Sequence, residues 1–423
     1  MKKYYKRLLE PKLEKKMKSI GAVLVAGPKF CGKTTTCMLY QKSFIKLNTE
    51  TAIRLAELDP SEVLKGEKPR LIDEWQKVPD IWNQVKNSLD DNYEFGSFIL
   101  TGSSTPADKT KIYHSGAGRI VPLKMRTLSL FESEESKGIV SISELFEGAN
   151  KSYFDLNDDY HLSDTAYLLC RGGWPMSIQD DKELGLEITK NYYDSLFVFE
   201  NCANEKFRNK NPEVFKMILR SYARNISTEA PNQTIIEDVK ASNSRTMDVR
   251  TFDDYMEALK DLYIIENLQA WNPNIRSKTS IVKKETRHFV DTSIACRALN
   301  ISPDDLLNDL NSFGMFFEDF AVRDLSIYMS ALDGEVRHYR DNTGLECDAV
   351  LHLGNGKWAA VEIKLGGDEL IEEGAASLNR LKNKLAEKSN EKEPSFMMVL
   401  TAFGPLYQRK DGIYVVPINC LKP

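Results

Sequence analysis

The chain has 423 residues, more than one hydrophobic core normally serves, and this length predicts two to four domains. A composition of 42% hydrophobic and 28% charged residues excludes long disordered tails, and a net charge of -5 excludes a general attraction to nucleic acid or anionic membranes. Seven scattered cysteines without a CxxC pair argue against a zinc site and a disulfide framework.

The amino-terminal stretch, Met1–Lys18, is lysine-rich and amphipathic. The apolar run that follows it, Ile20–Ala26, is too short to cross a bilayer and ends without a cleavage site. We therefore expect a cytoplasmic protein with no membrane partner.

Short apolar strands alternate with helical patterns through residues 1–150. This alternation is typical of a parallel sheet flanked by helices, and it predicts an α/β domain. The predicted strands are Ala22–Ala26, Ala52–Leu55, Arg70–Ile72, Ser97–Thr101 and Arg119–Leu123.

The remainder of the chain changes pattern twice. A helical region follows residue 151 and is interrupted by a turn at Arg171–Pro175. Pro212–Trp271 then contains three helical patterns and a strand at Leu262–Leu268, before the pattern returns to mixed α and β. The helix and strands predicted in this last region are Phe313–Met329 and then Val336–Tyr339, Cys347–Leu353, Trp358–Ile363, Phe396–Leu400 and Ile413–Pro417.

A phosphate-binding motif follows the first strand directly. Residues Gly27–Thr34 fit GxxxxGK[ST] and lead into a helical run, the context in which such a loop binds a nucleotide. Lys33 is expected to reach the β and γ phosphates and Thr34 to hold Mg²⁺, while backbone N–H groups and the helix N-terminus cradle the phosphates. The predicted ATP-binding residues are Gly27, Pro28, Lys29, Phe30, Cys31, Gly32, Lys33, Thr34 and Thr35.

Two carboxylates end the strand Arg70–Ile72. Asp73 and Glu74 would lie at the carboxyl edge of the sheet, where ligands of open α/β folds bind. We expect Asp73 to hold the Mg²⁺ through water and Glu74 to activate the attacking water. The alternative is a strand end with two solvated acids.

Two further residues are candidates for the same site. Ser103 follows the strand Ser97–Thr101 in Gly102–Ser104, whose hydroxyls would contact the γ-phosphate or the water, although a capped helix start explains them equally. Arg119 begins the fifth strand after a loop and would supply charge to the transition state, in cis or to a neighbouring subunit. A surface salt bridge is the alternative.

These motifs resemble a family of prokaryotic AAA+-like ATPases of the AAA_14 type that carry a C-terminal domain named DUF4143. The resemblance extends over most of the chain and includes the segments Leu71–Pro79, Ile99–Ser104, Leu128–Glu132, Gly172–Pro175, Tyr339–Asp341 and Glu362–Lys364. It implies an α/β P-loop ATPase domain at 1–150, a helical lid at 151–205, a winged-helix-like domain at 206–275 and a restriction-endonuclease-like, PD-(D/E)xK domain at 276–423. A homo-oligomer is a further expectation.

The winged-helix-like region has an acidic candidate recognition helix. Thr251–Glu257 carries three acidic residues and no lysine or arginine, which is unfavourable for phosphate contacts. We expect this region to have a structural or protein-contact role more than a DNA-reading one.

The C-terminal carboxylates depend on the register of one hairpin. If it is symmetric about Asn355, Asp348 faces Glu362, and a cation is needed between them. If Asn355–Gly356 forms a two-residue turn, the two carboxylates point to opposite faces and no site forms.

The family resemblance implies a nuclease site at this hairpin. Asp348 and Glu362 would bind Mg²⁺ or Mn²⁺, Lys364 would orient the water, and Glu318 would complete the site for phosphodiester hydrolysis. A hairpin with ordinary surface charges is the alternative. The leading hypothesis is therefore an ATPase whose nucleotide state governs a nuclease-like module acting on nucleic acid, and the rival is a nucleotide-gated switch or scaffold with an inactive nuclease-like domain.

Overall fold

The chain folds into two units, seen in a computed structural model that describes residues 3–103, 116–148, 153–203, 210–243, 247–272, 284–387 and 393–423. The first unit comprises Met1–Thr127, Val198–Lys210 and Asp254–Ile264; the second comprises Leu128–Phe197, Asn211–Asp253 and Ile265–Pro423. Over the described ranges, no helix has both the length and the apolar character that a membrane crossing requires.

A parallel five-stranded sheet forms the centre of the first unit, as the alternating pattern predicts. Its strands are β1 (Ala22–Ala26), β2 (Ser43–Lys46), β3 (Arg70–Asp73), β4 (Phe98–Gly102) and β5 (Ile120–Lys124). The strand order is β2-β3-β4-β1-β5, and all four ladders are parallel. The strand order reverses at β1, so the loop after β1 lies at the switch point where ligands of such sheets bind.

One predicted strand of this sheet is wrong. Ala52–Leu55 lies inside a helix, Glu50–Leu58, and the second strand is Ser43–Lys46 instead. The Thr49 side chain caps this helix by accepting a hydrogen bond from the Ala52 N–H at 3.2 Å. Ala56 is the buried residue of this helix, whereas Leu55 is 61% exposed. The helices of this region are α1 (Glu10–Met17), α2 (Lys33–Cys37), α3 (Glu50–Leu58) and α4 (Asp80–Asp91).

The second unit is built on a seven-stranded mixed sheet. The strands from β6 onward are β6 (Val140–Ser141), β7 (Phe154–Asp155), β8 (Gly334–Arg340), β9 (Glu346–Leu353), β10 (Trp358–Lys364), β11 (Met397–Thr401), β12 (Leu406–Gln408), β13 (Tyr414–Pro417) and β14 (Leu421–Lys422). The order of the seven-stranded sheet is β7-β12-β13-β11-β10-β9-β8, with antiparallel pairing through β8, β9 and β10 and parallel pairing through β10, β11 and β13. All five strands predicted for this region are present.

Helices fill the middle of the chain. The three helices predicted in Pro212–Trp271 are present, whereas the predicted strand Leu262–Leu268 is reduced to two isolated antiparallel bridges, Ile265 with Phe289 and Leu268 with Thr286. The helices after α4 are α5 (Ile142–Phe146), α6 (Leu162–Arg171), α7 (Lys182–Ala203), α8 (Pro212–Arg224), α9 (Asn232–Asn243), α10 (Val249–Asp261), α11 (Thr292–Leu299), α12 (Pro303–Asn308), α13 (Leu310–Ala331) and α14 (Asp368–Glu387). The winged-helix assignment remains a prediction.

Strand pairing decides which segments belong to the second unit. β6 pairs with β14 and β7 pairs with β12, so the chain after Thr127 contributes strands alongside its carboxyl end. These pairings join residues far apart in sequence, which leaves no local signal. The four predicted segments stay a prediction.

A buried ionic cluster links α13 to the turn that follows α6. Arg323 lies 3.1 Å from Asp291 and 2.7 Å from Asp324, and each of these side chains is at most 2% exposed. Asp291 also accepts a hydrogen bond from the Gly173 N–H at 2.9 Å. A Cβ atom would lie 2.3 Å from Asp291 Oδ1 at Gly172 and 2.1 Å from the Leu128 carbonyl oxygen at Gly173, so the packing of this turn requires both glycines.

Candidate functional site

The phosphate loop connects β1 to α2 at the carboxyl edge of the first sheet. At Gly27 a Cβ atom would lie 1.9 Å from the Met125 carbonyl oxygen, so no other residue fits. Gly32 has a φ of 98°, and Phe30, with a φ of 63°, takes a left-handed conformation that costs a non-glycine residue energy. α2 has only five residues, so the loop N–H groups contribute more to anion binding here than a helix dipole.

The Lys33 side chain is buried and forms hydrogen bonds within its own loop. Its Nζ donates to the Gly27 carbonyl at 2.9 Å and to the Pro28 carbonyl at 2.7 Å. Carbonyl dipoles thus compensate the buried ammonium, and a phosphate oxygen would make a stronger, charge-assisted bond in their place.

Asp73 links the phosphate loop to the middle of the sheet. This side chain is 2% exposed, and its Oδ1 accepts a hydrogen bond from Thr34 Oγ1 at 2.8 Å and a close one from Thr101 Oγ1. Thr34 and Asp73, both predicted Mg²⁺-binding residues, are therefore in direct contact. A hydroxyl beside a carboxylate is an oxygen donor set that suits Mg²⁺.

Glu74 faces a different set of partners from Asp73. Its backbone is left-handed, with a φ of 62°, and its Oε2 accepts from Gln76 Nε2 at 2.6 Å and from Ser103 Oγ at 3.2 Å. Ser103 thus lies in the site but contacts Glu74. Gln76 and Thr101 were not predicted as site residues, although each stands within two residues of one that was.

The remaining predicted residues divide into three groups. Thr35 is exposed on α2 beside the loop. Ser104 lies outside the described residues. Arg119 is not brought to the site: its carbonyl accepts from the Ala22 N–H, at the amino end of β1, and its side chain forms an ion pair with Asp90 at 2.6 Å. In cis, Arg119 has the salt-bridge role because it lies at the opposite edge of the sheet.

The C-terminal hairpin has the register that is symmetric about Asn355. Val361 pairs with Ala349 and Ala360 with Val350, so one further step places Glu362 opposite Asp348. Asp348 Oδ2 accepts from the Ile363 N–H at 2.7 Å, and Glu362 lies 3.3 Å from Lys364 Nζ. The two carboxylates therefore share one face of the sheet.

This face opens into a cleft of about 390 Å³. One wall is the face of α14 on which residues 373, 377, 380 and 384 recur at helical spacing. Ser377 Oγ donates to Glu362 Oε1 at 3.0 Å. The cleft is lined by Thr343, Gly344, Leu345, Glu346, Asp348, Glu362, Lys364, Glu373, Ser377, Arg380 and Lys384.

Negative charge is concentrated at the base of this cleft. Burial, and then the Asp348 carboxylate, raises the pKa values of both Glu318 and Glu362, and burial raises the pKa of Asp348. Burial opposes the charge of Lys364, but Asp348 and Glu362 outweigh it and raise the pKa of that ammonium. A divalent cation would relieve this excess of carboxylates.

The metal set predicted for the cleft is only partly assembled. Glu318 interacts with these carboxylates electrostatically but is absent from the cleft lining. No group of three acidic, histidine or cysteine side chains stands arranged around a metal position within the described parts of the chain. Asp348 and Glu362 alone would be the protein ligands, with water or substrate oxygens completing the shell.

Three family models match successive parts of the chain. Residues 19–134 match an AAA domain, AAA_14; residues 162–305 match a domain of unknown function, DUF8612; and residues 313–421 match a domain of unknown function, DUF4143. The amino-terminal part is thus a P-loop ATPase domain of the AAA type, followed at the carboxyl end by a DUF4143 domain.

Two curated proteins and two solved structures are similar to parts of this chain. The uncharacterized proteins Rv2008c of Mycobacterium tuberculosis and Mb2031c of Mycobacterium bovis are each 23% identical over 81% of this chain and 70% of their own length. The Walker-type ATPase PABY2304 of Pyrococcus abyssi has a TM-score of 0.43 at 14% identity, covering 70% of this chain and 96% of that one. The Hef helicase domain of Pyrococcus furiosus has a TM-score of 0.20 at 15% identity, covering 61% and 70%.

Proposed function

We propose that this chain hydrolyses ATP with Asp73 and Glu74 in separate roles, and that its nucleotide state governs a nuclease-like C-terminal domain acting on nucleic acid. One observation carries the first half: Asp73 is bonded to Thr34 of the phosphate loop, whereas Glu74 is held by Gln76 and Ser103. Asp73 would thereby serve the metal and Glu74 the attacking water.

The phosphate loop and Asp73 would hold the metal and the phosphates. Thr34 and Asp73 are the residues that would hold Mg²⁺, which neutralises charge on the phosphates when it is bound. Lys33 would transfer its hydrogen bonds from the Gly27 and Pro28 carbonyls to phosphate oxygens.

Glu74 would act on the water. Its Oε2 already accepts two hydrogen bonds, which orients the carboxylate and leaves Oε1 to accept the proton. The water oxygen bonds to the γ-phosphorus, the bond from that phosphorus to the β–γ bridging oxygen breaks, and the products are ADP and phosphate.

The C-terminal half of the proposal rests on the hairpin register. Asp348 and Glu362 face each other in an open cleft, beside a lysine, which is a suitable arrangement for placing a cation and a water at a phosphodiester. Basic residues of the same cleft, Arg380 and Lys384, would supply the local positive charge that a chain with a net charge of -5 lacks overall.

A second candidate function is the nucleotide-gated switch or scaffold with an inactive nuclease-like domain. It is favoured by the partners that the carboxylates already have: Glu362 is engaged by Lys364 and Ser377, and Asp348 by the Ile363 N–H. In that function the cleft is a binding surface and ATP hydrolysis is slow.

Lys33→Ala is expected to weaken ATP binding by about a hundredfold or more, because two charge-assisted bonds to phosphate are lost. Isothermal titration with ATP and Mg²⁺ measures this directly. Lys65→Ala is the matched control, since Lys65 is an exposed lysine paired with Glu62. Wild-type affinity in Lys33→Ala would refute the phosphate-binding role of the loop.

Arg380→Ala is expected to weaken binding of a single-stranded oligonucleotide a fewfold and to lower the slope of log Kd against log salt by about one. Lys382→Ala removes the same charge from the same helix outside the cleft, where Lys382 lies 3.5 Å from Glu393. Fluorescence anisotropy over a salt series tests both. Equal slopes for the two variants would show that the cleft does not hold the backbone.

A further inference from the structure

The segment that precedes the first sheet contacts the phosphate loop directly. Arg7 and Glu10 lie in the lysine-rich amphipathic stretch Met1–Lys18, and they are 3% and 7% exposed. Their side chains are polar groups buried in the first unit, so each needs partners that compensate its desolvation.

Arg7 finds these partners in three backbone carbonyls. Its Nη1 donates to the Cys31 carbonyl at 2.7 Å, and its Nη2 donates to the Arg126 and Thr127 carbonyls at 2.7 and 3.0 Å. A planar guanidinium with several fixed donors is suited to join these two segments. The phosphate loop is thereby tied to the chain that leaves β5.

Glu10 in turn holds Arg7 in place. Its Oε1 accepts hydrogen bonds from the backbone N–H of Arg7 at 2.6 Å and from Tyr4 Oη at 2.9 Å. Its Oε2 accepts one from Tyr40 Oη at 2.8 Å. Tyr4 Oη also lies 3.2 Å from Thr36 Oγ1 on α2. The segment Tyr4–Glu10 therefore contacts both the phosphate loop and the helix that follows it.

The bond from Arg7 to Cys31 has a directional consequence. The Cys31–Gly32 peptide is trans, so its carbonyl and its N–H point in opposite directions. Because the carbonyl is directed at Arg7, the Gly32 N–H is directed away from Arg7. N–H groups of such a loop are the donors that cradle phosphate oxygens.

We infer that Arg7 is a positioning residue for the phosphate loop: its guanidinium holds the Cys31 carbonyl so that the Gly32 N–H faces the bound phosphates. This role rests on the proposed binding of ATP. Arg7 does not touch the nucleotide, and its effect is on affinity for the phosphates more than on the step in which water attacks.

Calorimetric titration with ATP and with ADP, alongside steady-state hydrolysis, tests this role in the full-length chain. Arg7→Ala is expected to raise both Kd values and the KM by about tenfold to a hundredfold, while kcat stays within about twofold. Arg7→Lys, which keeps a cation, is expected to recover part of the affinity. Arg54→Ala, at an exposed arginine paired with Glu50, is the control and retains the wild-type values.

The outcomes separate this role from a purely structural one. If Arg7 only stabilised the fold, Arg7→Ala would reduce the number of binding sites per chain and the apparent kcat, with Kd unchanged in the folded fraction, and the inference would be overturned. Wild-type Kd values in both Arg7 variants would overturn it as well. A wild-type chain that binds neither nucleotide would overturn the proposed function together with this role.

Discussion

Glu74→Gln is expected to lower the kcat of ATP hydrolysis by about 10²- to 10⁴-fold while ATP remains bound. The amide keeps the size of the carboxylate and can still accept from Gln76 and Ser103, but it cannot take a proton from water. Single-turnover hydrolysis together with a binding isotherm separates the two effects. The Kd for ATP should stay within about threefold of wild type, since Glu74 does not hold the phosphates.

Glu57→Gln is the matched control for this prediction. Glu57 is an exposed carboxylate on α3 in the same unit, so its substitution should leave kcat unchanged. A Glu74→Gln chain that hydrolyses ATP at the wild-type rate would show that another residue activates the water. Loss of ATP binding in that variant would instead place Glu74 among the nucleotide-holding residues.

Glu362→Ala is expected to reduce metal-dependent cleavage of DNA by about 10²- to 10³-fold. This variant loses one of the two opposed carboxylates that would hold the divalent cation in the cleft. Cleavage of single- and double-stranded DNA is measured with Mg²⁺ or Mn²⁺, with and without ATP. If the nucleotide state governs the cleft, the rate of DNA cleavage by wild type also differs between the reactions with ATP and those without it.

Glu369→Ala provides the comparison for Glu362→Ala. Glu369 is an exposed acid near the start of α14 and does not line the cleft, so this variant should cleave as wild type does. Cleavage that persists in Glu362→Ala would locate the activity elsewhere. No cleavage by wild type with either metal would favour the switch or scaffold, with the cleft as a binding surface.

The elements that sequence predicted well are those with a local signal. Gly27–Thr34 combines a spaced motif with a strand before it and a helix after it, and β1, β3, β4 and β5 are apolar runs bounded by polar residues. Asp73 could be assigned to the carboxyl edge because parallel strands end together. Ala52–Leu55 failed because a four-residue segment with three apolar residues fits a strand and a helix equally, and the Thr49 cap decides for the helix.

What sequence left open depends on long-range pairing. The segment Gly354–Asn355–Gly356 permits two turns, and only the observed pairing of β9 with β10 places Asp348 opposite Glu362. Arg119 stands at the start of the fifth strand, and parallel strands start together at the amino edge, so the sequence already favoured a position away from the site. Arg7 lies 24 positions from its loop partner and 119 and 120 positions from the carbonyls after β5, which no local pattern links.

Hydrolysis of ATP by the purified wild-type chain, with Lys33→Ala measured in parallel, tests the central claim most directly. Release of phosphate and ADP in the presence of Mg²⁺ is followed for both proteins under the same conditions. The account predicts equal amounts of the two products from wild type and a background rate from Lys33→Ala. Turnover by wild type that does not exceed the Lys33→Ala rate would contradict it.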